Sequence, residues 1–372
     1  MAAGPRGLRR LLRLVHRLPL HPGHGADPRR RRDRPPLSDV ITVARPAPQG
    51  ADRRYLAIGA LVLLGAAAVS LFVGVSGISP ADLLAGDAQK RAVLLESRIP
   101  RLAAIVLAGS AMGVAGLIMQ GLTQNRFVAP STAGTIESAT FGVLVATLWF
   151  GSGSVFAKMT LAVLFALVGT AIFLALVERL RFSDIIVVPL VGIMFGAVVG
   201  AATMFFAFRA DLLQTLSAWT TADFSGTLRG RYELLWLVGG LTVLAYRYAD
   251  RFTVAGMGRD HAVNLGVDHR RTVTLGLALV AAVSAVVVVV VGAIPFLGLV
   301  APNITTLLVG DNMRRVLPVT ALSGALFLLV CDILSRTIRY PFEVPVGTVV
   351  GVLGGAVFVF LIFRSRFGAA AA

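Results

Sequence analysis

A chain of 372 residues that is 56% hydrophobic and only 15% charged, with a mean hydropathy of +0.80, is no soluble domain; those carry about 25% charged residues. Apolar runs of about 20 residues recur along it, which fits membrane-crossing helices and excludes a β-barrel. The net charge of +16 does not mark a nucleic-acid binder, because residues 1–54 hold 13 Arg against four Asp and no nucleic-acid fold accompanies them.

Residues 1–54 are rich in Pro, Arg and Gly and resemble no signal peptide, since no apolar core follows the first basic residues. Within 6–18, Leu8, Leu11, Leu12, Val15 and Leu18 share one helical face, and Arg6, Arg9, Arg10, Arg13 and Arg17 fall largely on the other. That pattern suits a helix lying on anionic lipid. A disordered cytoplasmic tail accounts for the composition equally well.

Residues 55–365 read as an all-α integral membrane domain of about ten spans. They are Tyr55–Val75, Leu102–Leu122, Thr132–Phe150, Phe156–Val177, Ile185–Phe208, Leu234–Tyr248, Thr272–Val291, Phe296–Val309, Leu317–Ile338 and Gly347–Phe363. The 39 residues Thr272–Gly310 carry no charge, and Gly292, Pro295, Gly298 and Pro302 divide them into a full span and a short, bent one. With the N-terminus inside, inner segments outside the tail hold 12 basic residues against 10 outside; the tail raises this to 25 against 10. The positive-inside rule then puts both termini in the cytoplasm.

The apolar sequence is interrupted at residues 252–271, FTVAGMGRDHAVNLGVDHRR. Met257–Leu265 is predicted as a short helix that Gly266 ends in a left-handed conformation. Asp268 then caps the next helix. Arg259, Arg270 and Arg271 keep the segment out of lipid. A plain connector needs only to be short and polar, whereas Val254, Met257, Ala262, Val263 and Leu265 make this one a partly apolar knob of the kind that enters a partner's groove.

Single residues add less. Cys331 stands alone in an apolar run and reads as packing. The five histidines lie in the tail or the central loop, which argues against a metal or haem site in the membrane. Glu137 and Asp332 lie inside spans, and two isolated carboxylates fit structural use better than an ion relay. Asp332 stands four residues before Arg336 and could hold its side chain. Arg98 and Arg101 share a helical face, and Pro100 fits a helix's first turn. Ala115–Pro130, AGLIMQGLTQNRFVAP, and Gly292–Pro302, GAIPFLGLVAP, are both Gly-punctuated and end in V-A-P, as an inverted repeat would have it.

Four blocks resemble the iron-siderophore and vitamin B12 permeases of ATP-binding-cassette importers, the FecCD type. They are RIPRLAAIVLAGSAMGVAGLIMQGLTQNRFVAPSTAG at Arg98–Gly134, GMGRDHAVNLGV at Gly256–Val267, IPFLGLVAPNI at Ile294–Ile304 and LLVCDILSRTIRYPFEVPVG at Leu328–Gly347. FVAPSTAGT and GRYELLW look most like the petrobactin and catecholate branch. The resemblance implies a type II importer permease fold with ten spans and an inverted internal repeat, in a bacterial inner membrane. It implies a second permease subunit, identical or paralogous, with the path at their interface, lined by the fifth and tenth spans; Glu178–Asp184 would contribute to an inner gate. It further implies two cytoplasmic ATPases that bind ATP and Mg, an extracytoplasmic binding protein, and ferric siderophore as cargo. Gly258, Arg259, Asp260, His261, Asn264, Leu265 and Gly266 would then make the ATPase-coupling contact, and Arg98, Arg101 and Arg336 would dock the binding protein. The same outer arginines also suit phospholipid headgroups.

The chain itself is expected to be no enzyme and to hold no cofactor or metal, as it lacks a G-x-x-x-x-G-K-[ST] loop. Haem or a corrinoid is the alternative cargo within the family. An ion-gradient-driven secondary transporter is the alternative from another class, and the lack of paired charges in the spans weighs against it.

Overall fold

The computed structural model describes residues 51–74, 87–151, 155–180, 187–229 and 232–370, which belong to one unit, Ala47–Ala372. The expected 6–18 helix and the gate residues 181–184 lie outside them.

Among the described residues there are helices and no strands. The order is α1 Ala51–Phe72, α2 Ala88–Val93, α3 Ile99–Leu122, α4 Thr135–Phe150, α5 Val155–Leu180, α6 Val187–Arg209 and α7 Leu213–Thr220. There follow α8 Leu235–Arg247, α9 Ala249–Ala255, α10 Arg259–Asn264, α11 His269–Val291, α12 Leu297–Val309, α13 Met313–Thr337 and α14 Val346–Ala370. Seven helical runs are long and apolar enough to cross a bilayer, and α4, α8 and α12 are shorter apolar helices. Each expected span coincides with one of these ten, within a few residues at most ends. At 13 residues, α8 and α12 are about 20 Å long, short of a hydrocarbon core of roughly 30 Å.

α3 is the centre of the molecule. Residues Ala111 to Gln120 are buried without interruption, and the helix packs against α13, α12, α11 and α8. Small side chains make this possible. A Cβ on Gly116 would lie 1.8 Å from the carbonyl oxygen of Gly298, so α3 and α12 meet backbone to backbone. Those two glycines belong to the two similar sequence blocks, and Asn303, the residue after the second block, donates through Nδ2 to the Arg126 carbonyl of the first at 3.0 Å. A second layer pairs α4 with α5 and α6, and α5 with α11.

α1 is the opposite of α3. It packs chiefly on α13, and Ile58, Leu61 and Leu64 are exposed. An apolar face exposed on a membrane-spanning helix is turned to lipid or to another subunit. α6 exposes Ile193, Met194, Val198 and Phe205, and α14 exposes Val352, Val359 and Phe360.

Two helix starts differ in detail from the expectation. Pro100 lies in the first turn of α3, as expected, but α3 itself continues α2 and a π-helical turn at Leu94–Arg98 as one run. Proline supplies no N–H to the carbonyl four residues back. That carbonyl, of Glu96, accepts instead from the Arg229 N–H at 3.1 Å, in the loop before α8. Likewise α13 begins at Met313 rather than Leu317, because Asn312 caps it by accepting from the Arg315 N–H.

Candidate functional site

The segment from α9 to α11 is a built turn. α9 is anchored by Phe252, fully buried and packed on Gly276 of α11. Gln124 Nε2, just past the end of α3, donates to the Gly256 carbonyl at 3.0 Å. Gly258 then has φ +101°, which only glycine adopts readily. The helix is shorter than expected, Arg259–Asn264 rather than Met257–Leu265, since that backbone angle at Gly258 excludes the residues before it.

Its end follows a Schellman pattern. Val267 N–H donates to Ala262 O at 2.9 Å, Gly266 N–H donates to Val263 O at 3.0 Å, and Gly266 has φ +73°. Asp268 caps α11, as expected, by accepting from the Arg271 N–H at 3.0 Å. Ala262 is buried and pins the turn inward. Arg259, Asp260, His261 and Asn264 are exposed, and so are Met257, Val263 and Leu265 at 57%, 61% and 63%. The seven coupling candidates thus lie on one turn, 258–266, and three apolar side chains on or beside it, Met257, Val263 and the candidate Leu265, are in the open. A cavity of about 480 Å³ adjoins it, lined by Gln120, Gln124, Asn125, Phe252, Met257 and Asn312. Asp250 of α9 pairs with Arg314 of α13 at 2.6 Å, and Arg126 pairs with Asp311 at 2.9 Å, both in exposed positions.

The three docking candidates converge elsewhere, where the end of α1 meets the start of α3 and the end of α13. Arg98 Nη1 donates to the carbonyls of Leu71, at 3.1 Å, and Val73. Arg336 Nη1 donates to Ser70 O at 3.0 Å and Val73 O at 2.8 Å, and its Nη2 to Ser70 Oγ and Asp332 Oδ2. Two guanidiniums therefore satisfy the last carbonyls of α1, which lack helical partners and carry the negative end of the helix dipole. Arg101 binds Asp332 Oδ1 through Nε at 3.0 Å and Nη2 at 2.8 Å, and reaches Glu343 Oε2 through Nη1 at 2.8 Å.

Asp332 is fully buried, and Arg98 and Arg336 are only 8% and 5% exposed. The Asp332–Arg336 pair expected from spacing is present, but Asp332 is shared with Arg101 across two helices. Among the described residues, three cations face two carboxylates in this cluster. Glu343 is the most exposed of the charged groups that Arg101 binds. It went unremarked in the sequence because its partner lies 242 residues away. Glu137 Oε2 is buried with no hydrogen-bond partner among the described residues, against α6 at Gly196. Cys331 is buried packing. No cluster able to hold a metal occurs among the described residues.

The profile of the FecCD transport family matches residues 61–364. The chain belongs to the FecCD transport family. Among curated relatives of the family, the petrobactin import system permease protein YclN of Bacillus subtilis is 45% identical over 313 residues, covering 84% of this chain and 98% of that protein. The ferric-anguibactin transport system permease protein FatD of Vibrio anguillarum is 40% identical, covering 80% and 95%. A solved inward-facing metal-chelate-type ABC transporter superposes with a TM-score of 0.72 at 23% identity, over 84% of this chain and 99% of that one. This chain is therefore a multi-pass membrane transport component with the ABC-importer permease fold.

Proposed function

We propose that this chain is the permease subunit of an ATP-driven importer of ferric siderophores of the petrobactin or catecholate kind, in a bacterial inner membrane. Ten spans, with both termini cytoplasmic, place the α9–α11 turn against a cytoplasmic ATPase. The observation that carries this reading is the exposed apolar set Met257, Val263 and Leu265 on a turn closed by the Val267–Ala262 and Gly266–Val263 hydrogen bonds and pinned by buried Ala262. Exposed apolar side chains on a polar segment mark a protein contact. A rigid turn joined to α9 and α11 passes the closing of an ATPase to the spans. The similarity to petrobactin and anguibactin permeases supports the cargo class. ATP and Mg belong to two ATPase partners.

A second permease subunit, identical or paralogous, packs on this one so that the exposed faces of α6 and α14 line the path. The Arg98, Arg101 and Arg336 cluster receives acidic residues of an extracytoplasmic binding protein, with Glu343 the group they displace from Arg101. The test is uptake of radioactive ferric petrobactin into proteoliposomes holding the full complex. Replacing Asn264 and Leu265 with Arg is expected to abolish uptake while the ATPases still turn over. Normal uptake by that variant removes the coupling role, and ferric petrobactin that never enters with the intact complex removes the cargo.

A further inference from the structure

Between α5 and α11 lies a groove of about 590 Å³, of which the transport reading uses only Arg259 at its mouth. Its walls are mainly apolar, formed by Leu167 and Leu174 of α5 and Leu277 of α11, with the hydroxyls of Thr170 and Thr274 among them, and Ala171 and Ala278 keep it open. Its mouth is basic, formed by Arg259 of the coupling turn and by His269 and Arg270 at the start of α11. Arg271 is held by Asp268 at 3.0 Å, whereas no ion pair engages Arg259 or Arg270 among the described residues. Two exposed acidic groups adjoin the mouth in sequence, Asp260 after Arg259 and Asp268 before His269, the latter engaged by Arg271.

Depth decides the kind of ligand. From His269 to Ala278 the wall descends about 14 Å along α11, at 1.5 Å per residue. That is about the thickness of one leaflet, half of a hydrocarbon core of roughly 30 Å. A soluble phosphate needs only the basic mouth. An apolar slot of leaflet depth beneath paired arginines fits an acyl chain below an anionic headgroup.

We infer that this groove binds an anionic phospholipid, its phosphate at Arg259, His269 and Arg270 and one acyl chain between α5 and α11. The headgroup then touches the first residue of the coupling turn. The inference rests on membrane insertion alone and not on the cargo or the coupling role.

The test is native mass spectrometry of the purified full chain after mixing with phosphatidylglycerol or with phosphatidylcholine of the same chain length. Phosphatidylglycerol is expected to remain bound at several-fold higher occupancy. Arg259→Gln with Arg270→Gln, both at exposed positions, is expected to bring it down to the phosphatidylcholine level. Ala171→Trp, which fills the slot without altering charge, is expected to reduce retention of both lipids. Excess glycerol 3-phosphate, the headgroup chemistry without chains, is expected not to displace the lipid. Equal retention of the two lipids overturns the inference. So does a preference that survives the double substitution, which would leave these arginines to a protein partner. Displacement by glycerol 3-phosphate would make it a soluble anion site instead.

Discussion

At the scale of single residues, Asp332 carries more than its place in an apolar helix foretells. It is fully buried and ligates two guanidiniums, one of which also holds the end of α1. Removing one partner of a buried pair leaves the others charged and unsatisfied, which costs about 3–5 kcal/mol. Asp332→Asn is therefore expected to lower the thermal midpoint of the detergent-solubilised chain sharply. Glu343→Gln, at a side chain 30% exposed, is expected to cost at most about 1 kcal/mol. Equal effects of the two would mean that Asp332 is no keystone of the cluster. The i, i+4 spacing made the Asp332–Arg336 pair legible. Arg101 and Glu343 could not be assigned, because nothing local in a sequence joins residues so far apart.

At the scale of elements, helix positions follow from apolar length, and helix ends from caps. Asp268 and Gly266 were readable because capping and left-handed turns are local chemistry. The continuity of α2, the π turn and α3 was not, because it depends on Arg229 from a distant loop satisfying the carbonyl that Pro100 leaves free. The contact of α3 with α12 is likewise tertiary. Gly116→Ala would put its Cβ 1.8 Å from the Gly298 oxygen. Overpacking of this kind costs about 1–3 kcal/mol or more. Gly65→Ala on α1, where no atom lies within 4 Å, is expected to stabilise by roughly 0.5–1 kcal/mol through helix propensity alone. Thermal unfolding of the two variants measures the contrast, and similar midpoints would show that α3 and α12 can part without loss.

At the scale of the whole molecule, the sidedness set by the basic tail is a claim about transport as much as topology. Val263→Cys, exposed on the coupling turn, is expected to react with a membrane-impermeant maleimide in inside-out vesicles. In right-side-out vesicles it is expected to stay unlabelled until they are lysed. Labelling from the outside would place the turn on the wrong face for any cytoplasmic motor. The two groups of candidate residues lie in different parts of the fold. The cluster of Arg98, Arg101 and Arg336 binds α1, α3 and α13 together, whereas the coupling turn rests on α3 and α11. The central, most buried helix is the element common to both.

Membrane residence, the approximate place of each long helix and the folded character of residues 252–271 were decided by composition, periodicity and capping, all of which act over a few residues. Only the tertiary structure decided that Arg101 and Arg336 share one buried carboxylate, that two glycines 182 positions apart touch, and that a basic-mouthed slot opens between α5 and α11. The physical reason is range. Propensity and hydropathy are summed along the chain, whereas charge pairing, close approach and cavities depend on which distant side chains packing brings within a few ångströms.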